Sequence, residues 1–99
     1  MKGVITLEID DIRNAVLELV PRYSITSIIL FGSRANGTAR ENSDIDLIVE
    51  FDCPISLLTL SRIKIELEEK MGLGVDVIHG PITENDMITI DKEIVLYAA

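Results

Sequence analysis

Leu30-Phe31-Gly32-Ser33-Arg34-Ala35-Asn36-Gly37-Thr38-Ala39-Arg40-Glu41-Asn42-Ser43-Asp44-Ile45-Asp46-Leu47 decides how this chain folds. The stretch begins inside an apolar, β-branched run, Thr26 to Phe31, that reads as a buried strand. Gly32 ends that strand; a glycine there lets the backbone bend sharply and lets a ligand come close. Ser33 then offers a hydroxyl and a backbone N–H to a phosphate, and a short helix starting at this point would add further donors. Residues Ser33 to Gly37 read as a turn or a single helical turn closed by Gly37, and Thr38 to Ser43 as polar loop. Arg34 and Arg40 flank the loop, either as cations for a triphosphate or as ordinary surface arginines. Ser43 either orients Asp44, touches ligand, or caps the turn.

Asp44 to Phe51 reads as a second strand, with Ile45, Leu47, Val49 and Phe51 on one face and Asp44, Asp46, Ile48 and Glu50 on the other. Asp44 and Asp46 therefore point the same way, and two neighbouring carboxylates repel unless a proton or a cation intervenes. Magnesium meets that need, because it takes hard oxygen ligands and is often held by a couple of carboxylates plus substrate phosphates. The bland alternative is a pair of acids on a solvated edge.

Asp76 lies inside Val75-Asp76-Val77-Ile78-His79, a third strand in which a charge is out of place by β-propensity. A carboxylate there calls for a partner or a metal. If this strand lies beside the Asp44 strand, three acids could support two metal ions in an in-line phosphoryl or nucleotidyl displacement. The alternatives are an exposed sheet face or pairing with Arg or Lys. His79 ends the strand and is more often a surface or packing residue than a base.

The remaining segments build a scaffold. Leu7 to Pro21 reads as a helix with an apolar stripe of Ile9, Ile12, Val16, Leu19 and Val20, acids in its first turn and Pro21 as its stop. Ser56 to Met71 reads as a second helix whose core stripe is Leu57, Leu60, Ile63, Leu67 and Met71, with Arg62, Lys64, Glu66, Glu68, Glu69 and Lys70 mostly solvated; Gly72 and Gly74 end it. Thr83 could cap a short third helix from Glu84, with Asp86 in the capping-box position. Ile94 to Tyr97 is assigned as a last strand. The expected fold is α/β (α+β), a single small mixed sheet with helices packed against it, in one domain spanning residues 1–99.

Composition narrows the function classes. No apolar stretch approaches the roughly eighteen residues of a membrane span, and the N-terminus has no signal-peptide core. Cys53 is the single cysteine, so no internal disulfide or cysteine metal cluster is available, which fits a cytoplasmic protein. Seventeen acidic against nine basic side chains give a net charge of -8, which argues against a polynucleotide substrate held by this domain alone. The same charge suits a basic protein partner or simply solubility.

As a set, the Gly32-Ser33 turn, Asp44-Ile45-Asp46 and the later strand aspartate Asp76 resemble the signature of the minimal nucleotidyltransferases, within the DNA polymerase beta-like superfamily. The resemblance runs from the first helix to the Ile94–Tyr97 end. It implies magnesium, as two ions, at Asp44, Asp46 and Asp76, and the triphosphate of ATP at Gly32 and Ser33, with Arg34, Arg40 and Ser43 around it. Asn36 stands where family members often carry a second arginine. Minimal proteins of this kind are often antitoxins paired with a HEPN-domain RNase toxin. The resemblance thus implies transfer of AMP from ATP to a tyrosine of that toxin; by its position among the carboxylates alone, Asp76 is the candidate for accepting or orienting the acceptor proton. Two rival readings are an acidic antitoxin that masks its toxin by binding alone, and a nucleotidyltransferase subunit acting on a small molecule or RNA.

Overall fold

The computed structural model describes residues 8–40, 43–81 and 92–99. Its elements run α1 (Ile9–Leu17), α2 (Val20–Tyr23), β1 (Ile25–Phe31), α3 (Ser33–Asn36), β2 (Ile45–Phe51), α4 (Leu57–Met71), β3 (Val75–His79) and β4 (Ile94–Ala98). The four strands form one sheet in the order β3-β2-β1-β4. β1 is antiparallel to both β2 and β4, whereas β2 and β3 run parallel. The parallel pair requires a crossover, and α4 supplies it.

Alternation along the strands fixes which face is covered. Ile28 and Leu30 of β1, Ile45, Leu47 and Val49 of β2, and Val75 of β3 are buried together with Ile12, Val16 and Leu19 of the N-terminal segment and Ile63 and Leu67 of α4. Both longer helices therefore lie on one side of the sheet. Each fully buried Leu, Ile or Val adds about 1.5–3 kcal/mol over its exposed state. The other side carries the alternate residues, including Asp46 and Asp76.

Pro21 does not stop the first helix in the expected way. Proline has no N–H to give to the carbonyl four residues back, here Leu17, and α1 ends at Leu17. Pro21 then occupies the first turn of the separate short helix α2, where its missing donor costs nothing. Ser24 closes α2 in the left-handed conformation and leads directly into β1, one residue earlier than the composition suggested. The expected start at Leu7 lies outside the described residues; the Asp11 carboxylate accepts from the Glu8 N–H at 2.9 Å and caps the visible helix.

Ser56 caps α4 by accepting from the Thr59 N–H at 3.1 Å, and Gly72 ends the helix with a left-handed turn. Two expectations for α4 need correction. Leu57 lies on the apolar stripe yet is 81% exposed, in the first turn of α4. Several charged residues expected in solvent make tertiary bonds instead. Glu66 accepts two hydrogen bonds from Arg22, at 2.6 and 3.0 Å, and one from the Tyr23 hydroxyl at 2.9 Å. Lys70 bonds Glu18 at 2.5 Å, so α1 and α2 are both tied to α4. Gly80-Pro81 turns the chain after β3. The short helix expected from Glu84 falls outside the described residues, and the expected last strand is β4.

Candidate active site

The site grows from the bend after β1. Gly32 has φ of 77°, a left-handed backbone that a side chain strains, and a β-carbon there would collide with the Asp46 carboxylate. Glycine is thus required twice, by the turn and by the acid packed against it. Ser33 opens α3, and as the first helical residue its N–H is left over by the helix's own bonding. Gly37, again left-handed, closes the turn. Asn36 pins the chain just beyond it, its side-chain oxygen accepting from the Thr38 N–H at 3.1 Å and from the Thr38 hydroxyl at 2.6 Å.

The acids meet through strand pairing. Asp46 and Asp76 are direct partners in the parallel β2–β3 register, so their side chains leave the same face of the sheet. Asp44 precedes β2 by one residue and lies over Gly74, where an added β-carbon would be 2.5 Å from its Oδ1. Gly74 leaves room for one carboxylate as Gly32 does for the other. Asp46 is partly buried while Asp44 and Asp76 are exposed.

Crowding shows in the protonation of Asp46. Burial pushes its carboxyl above the ordinary value, and the Asp76 carboxylate adds to this through its charge and a shared hydrogen bond, with a further contribution from Asp44. Among the described residues no three acidic, histidine or cysteine groups are drawn into a closed metal-binding array. Asp44 packs over Gly74 and Asp46 over Gly32.

Arg34 and Ser43 hold the loop between α3 and β2 together. Arg34 donates from Nε to the Ser43 carbonyl at 3.2 Å and from Nη2 to the carbonyls of Ser43 at 2.9 Å and Arg40 at 3.3 Å. Its planar fork thereby folds the loop ahead of Asp44 back onto α3. Ser43 caps that loop, its hydroxyl accepting from the Arg40 N–H at 2.7 Å. Arg40 is exposed at the loop surface. His79 packs edge-on to Phe51, ring centroids 5.4 Å apart, consistent with a packing residue.

Lys64 and Glu68 are the group that composition did not single out. Lys64 donates to Glu68 at 2.7 Å and to the Val75 carbonyl at 2.7 Å, while Glu68 accepts from the Val75 N–H at 3.0 Å. Glu68 holds the Lys64 ammonium above its ordinary value against the cost of desolvation, and Asp76 and Asp44 add to the effect. Lys64 therefore sits in the field of the acids. Its i,i+4 spacing to Glu68 was visible in the sequence, but that spacing reads equally well as a solvated helix pair.

A bend that offers backbone donors, beside three carboxylates from two adjacent strands, suits an anionic phosphate chain bridged to cations. Known proteins resemble the chain in sequence and in fold. A Methanocaldococcus jannaschii protein named as a protein adenylyltransferase is 36% identical over 93 residues, covering 94% of this chain and 96% of its own. A crystal structure of a toxin–antitoxin pair with AMP-PNP superposes with a TM-score of 0.73 at 22% identity, over 88% of this chain and 73% of that one. The structure of a tri-AMPylated Shewanella oneidensis HEPN toxin in complex with its MNT antitoxin superposes at 0.66 with 18% identity, over 89% and 71%. At those identities the two structures establish the common fold. The pattern of the nucleotidyltransferase domain matches residues 9–97, and the chain belongs to that family.

Proposed function

We propose that this protein is a magnesium-dependent protein adenylyltransferase that acts as an antitoxin, moving AMP from ATP onto a tyrosine of a HEPN-domain RNase toxin. The observation that carries the proposal is the pairing of Asp46 with Asp76 beside the Gly32-Ser33 bend, in a chain of the nucleotidyltransferase domain family. Support comes from the adenylyltransferase name of its relative and from the AMP-PNP and tri-AMPylated HEPN complexes that share its fold. Residues 1–99 act as one domain, in the cytoplasm, where ATP and a reduced Cys53 are at home.

The donor set fits hard divalent cations. It is all carboxylate, it is crowded enough to raise the Asp46 carboxyl, and two glycines leave space around it. Asp44, Asp46 and Asp76 would hold magnesium, as two ions. Bound there, the metal supplies neutralising charge to the triphosphate and to the acceptor oxygen.

The chain's own groups do the rest. Gly32 and the Ser33 N–H and hydroxyl hold the phosphates, and Arg34 and Ser43 keep the loop before Asp44 closed, with Arg40 at its rim. The tyrosine oxygen forms a bond to the α-phosphorus, the bond to the bridging oxygen breaks, and pyrophosphate leaves. Asp76, exposed on the edge strand β3, is a carboxylate an incoming protein can reach, and it orients or accepts the phenolic proton.

The test is intact-mass spectrometry of the HEPN partner after incubation with this protein, with and without ATP and magnesium. An ATP-dependent gain of one or more AMP groups is expected. Neutralisation with no change in mass would instead show masking by an acidic surface, and a gain on RNA or a small molecule alone would show a different acceptor.

A further inference from the structure

The free edge of β3 is a candidate protein-docking strand. Ile45 N–H bonds the Gly74 carbonyl, and Gly80 N–H bonds the Val49 carbonyl, at 2.9 Å each. In a parallel ladder this phase turns Gly74, Asp76, Ile78 and Gly80 toward β2 and Val75, Val77 and His79 outward. At Val75 both outward groups are taken, the N–H by Glu68 and the carbonyl by Lys64. Side chains of α4 thus complete the edge at the end nearest Asp76. Among the described residues nothing does the same for Val77 or His79.

Beside that open stretch lies an apolar groove of about 310 Å³ lined by Leu57, Leu60, Ser61, Lys64 and Val77. The four α4 residues fall at i, i+3, i+4 and i+7, so they form one stripe. Leu57 and the adjacent Leu58 are 81% and 68% exposed. Among the described residues this edge is unpaired and the groove beside it open, which is matched by an extended peptide that bonds through its main chain and seats an alternate side chain in the groove. A small apolar ligand would leave the backbone groups unused. A second copy would bring together two chains of charge -8.

We infer that β3 receives an extended, basic segment of a protein partner as a fifth strand, paired to Val77 and His79 with an apolar side chain against Leu57 and Leu60. The Lys64–Glu68 pair sets where the added strand must stop, so its terminal residue lies next to Asp76. Placing the acceptor there rests on the proposed transfer chemistry; the docking itself does not.

The probe is a fluorescein-labelled peptide of alternating valine and lysine, compared with the same peptide N-methylated on alternate backbone nitrogens. Binding is followed by anisotropy in EDTA without nucleotide, so that it stands or falls apart from adenylyl transfer. The N-methylated peptide is expected to bind about fivefold more weakly, as loss of main-chain hydrogen bonds requires. Leu57→Asp is expected to cost about tenfold through the lost apolar contact, and because Leu57 is exposed the variant folds normally. Added negative charge would strengthen any unspecific attraction, so a loss is diagnostic. In hydrogen exchange, the amides of Val77 and His79 slow in the complex. Equal binding of both peptides, tighter binding to Leu57→Asp, or no binding would overturn the inference. Self-association of the free protein abolished by Leu57→Asp would overturn it in favour of a second copy.

Discussion

The carboxylate of Asp46 occupies the space that a side chain at Gly32 would need, so the bend after β1 and the Asp46 carboxylate are a single packed unit. Gly32→Ala meets both a left-handed φ and that carboxylate. A strain of about 1–3 kcal/mol is expected in thermal or urea unfolding. Because relaxation must move Asp46, adenylyl transfer falls by about 100-fold or more, a geometric loss of the size that small misplacements produce. An alanine variant of full activity would separate the bend from the acids.

Asp44→Asn and Asp46→Asn are each expected to abolish transfer while leaving the fold intact, judged by ATP-dependent mass gain and circular dichroism. The two differ in stability. The Asp46 carboxyl is raised above its ordinary value in the folded protein, so the fold holds its proton more tightly than the unfolded chain does. That relation favours the fold below the ordinary carboxylate range and is lost as pH rises through the raised value. At neutral pH without metal Asp46 is therefore a burden, and Asp46→Asn should stabilise the protein by about 0.5–2 kcal/mol, as relief of unfavourable charge commonly does. The check is unfolding in EDTA at pH 7; a less stable Asp46→Asn would contradict it.

Glu66 and Glu68 run the other way. Hydrogen bonds from Arg22 and Tyr23 lower the Glu66 carboxyl, and hydrogen bonds from Lys64 and the Val75 N–H lower that of Glu68. Their contribution is complete above the ordinary glutamate range and disappears as pH falls through the lowered values. Urea midpoints of the wild type should therefore drop on acidification below about pH 4.5. Glu66→Gln should begin lower at pH 7 and lose less between neutral pH and pH 3.

Arg34→Lys keeps the charge but not the fork that grips the Arg40 and Ser43 carbonyls. The expected result is a rise in KM for ATP of about three- to tenfold with the fold retained, since about one net hydrogen bond is lost. If Arg34 acted as a point charge alone, Lys would serve equally well and KM would not move.

Much of this was legible beforehand. Alternation fixed the faces of β2, and a lone acid within Val75-Asp76-Val77 marked the third carboxylate without its being near in sequence. What could not be read was which of two plausible surroundings each polar group would find. Lys64 and Glu68 have the spacing of an exposed helix pair, and only the position of β3 turns them into a cover for Val75. Leu57 follows the periodicity of a core residue, but periodicity does not say whether a given turn meets a packing partner. Pro21 marks a break, but a proline is equally at home in the first turn of a new helix, and the sequence does not say which of the two follows. Gly74, whose lack of a side chain admits Asp44, looked like helix punctuation.

The parallel ladder of β2 and β3 ties chemistry to the completion of folding. Asp44 and Asp46 arrive just before and within β2, but Asp76 is delivered only after α4 has carried the chain across the core. A half-made or partly unravelled molecule lacks Asp76 beside Asp46, so the proposed three-acid site exists only in molecules whose interior is already assembled.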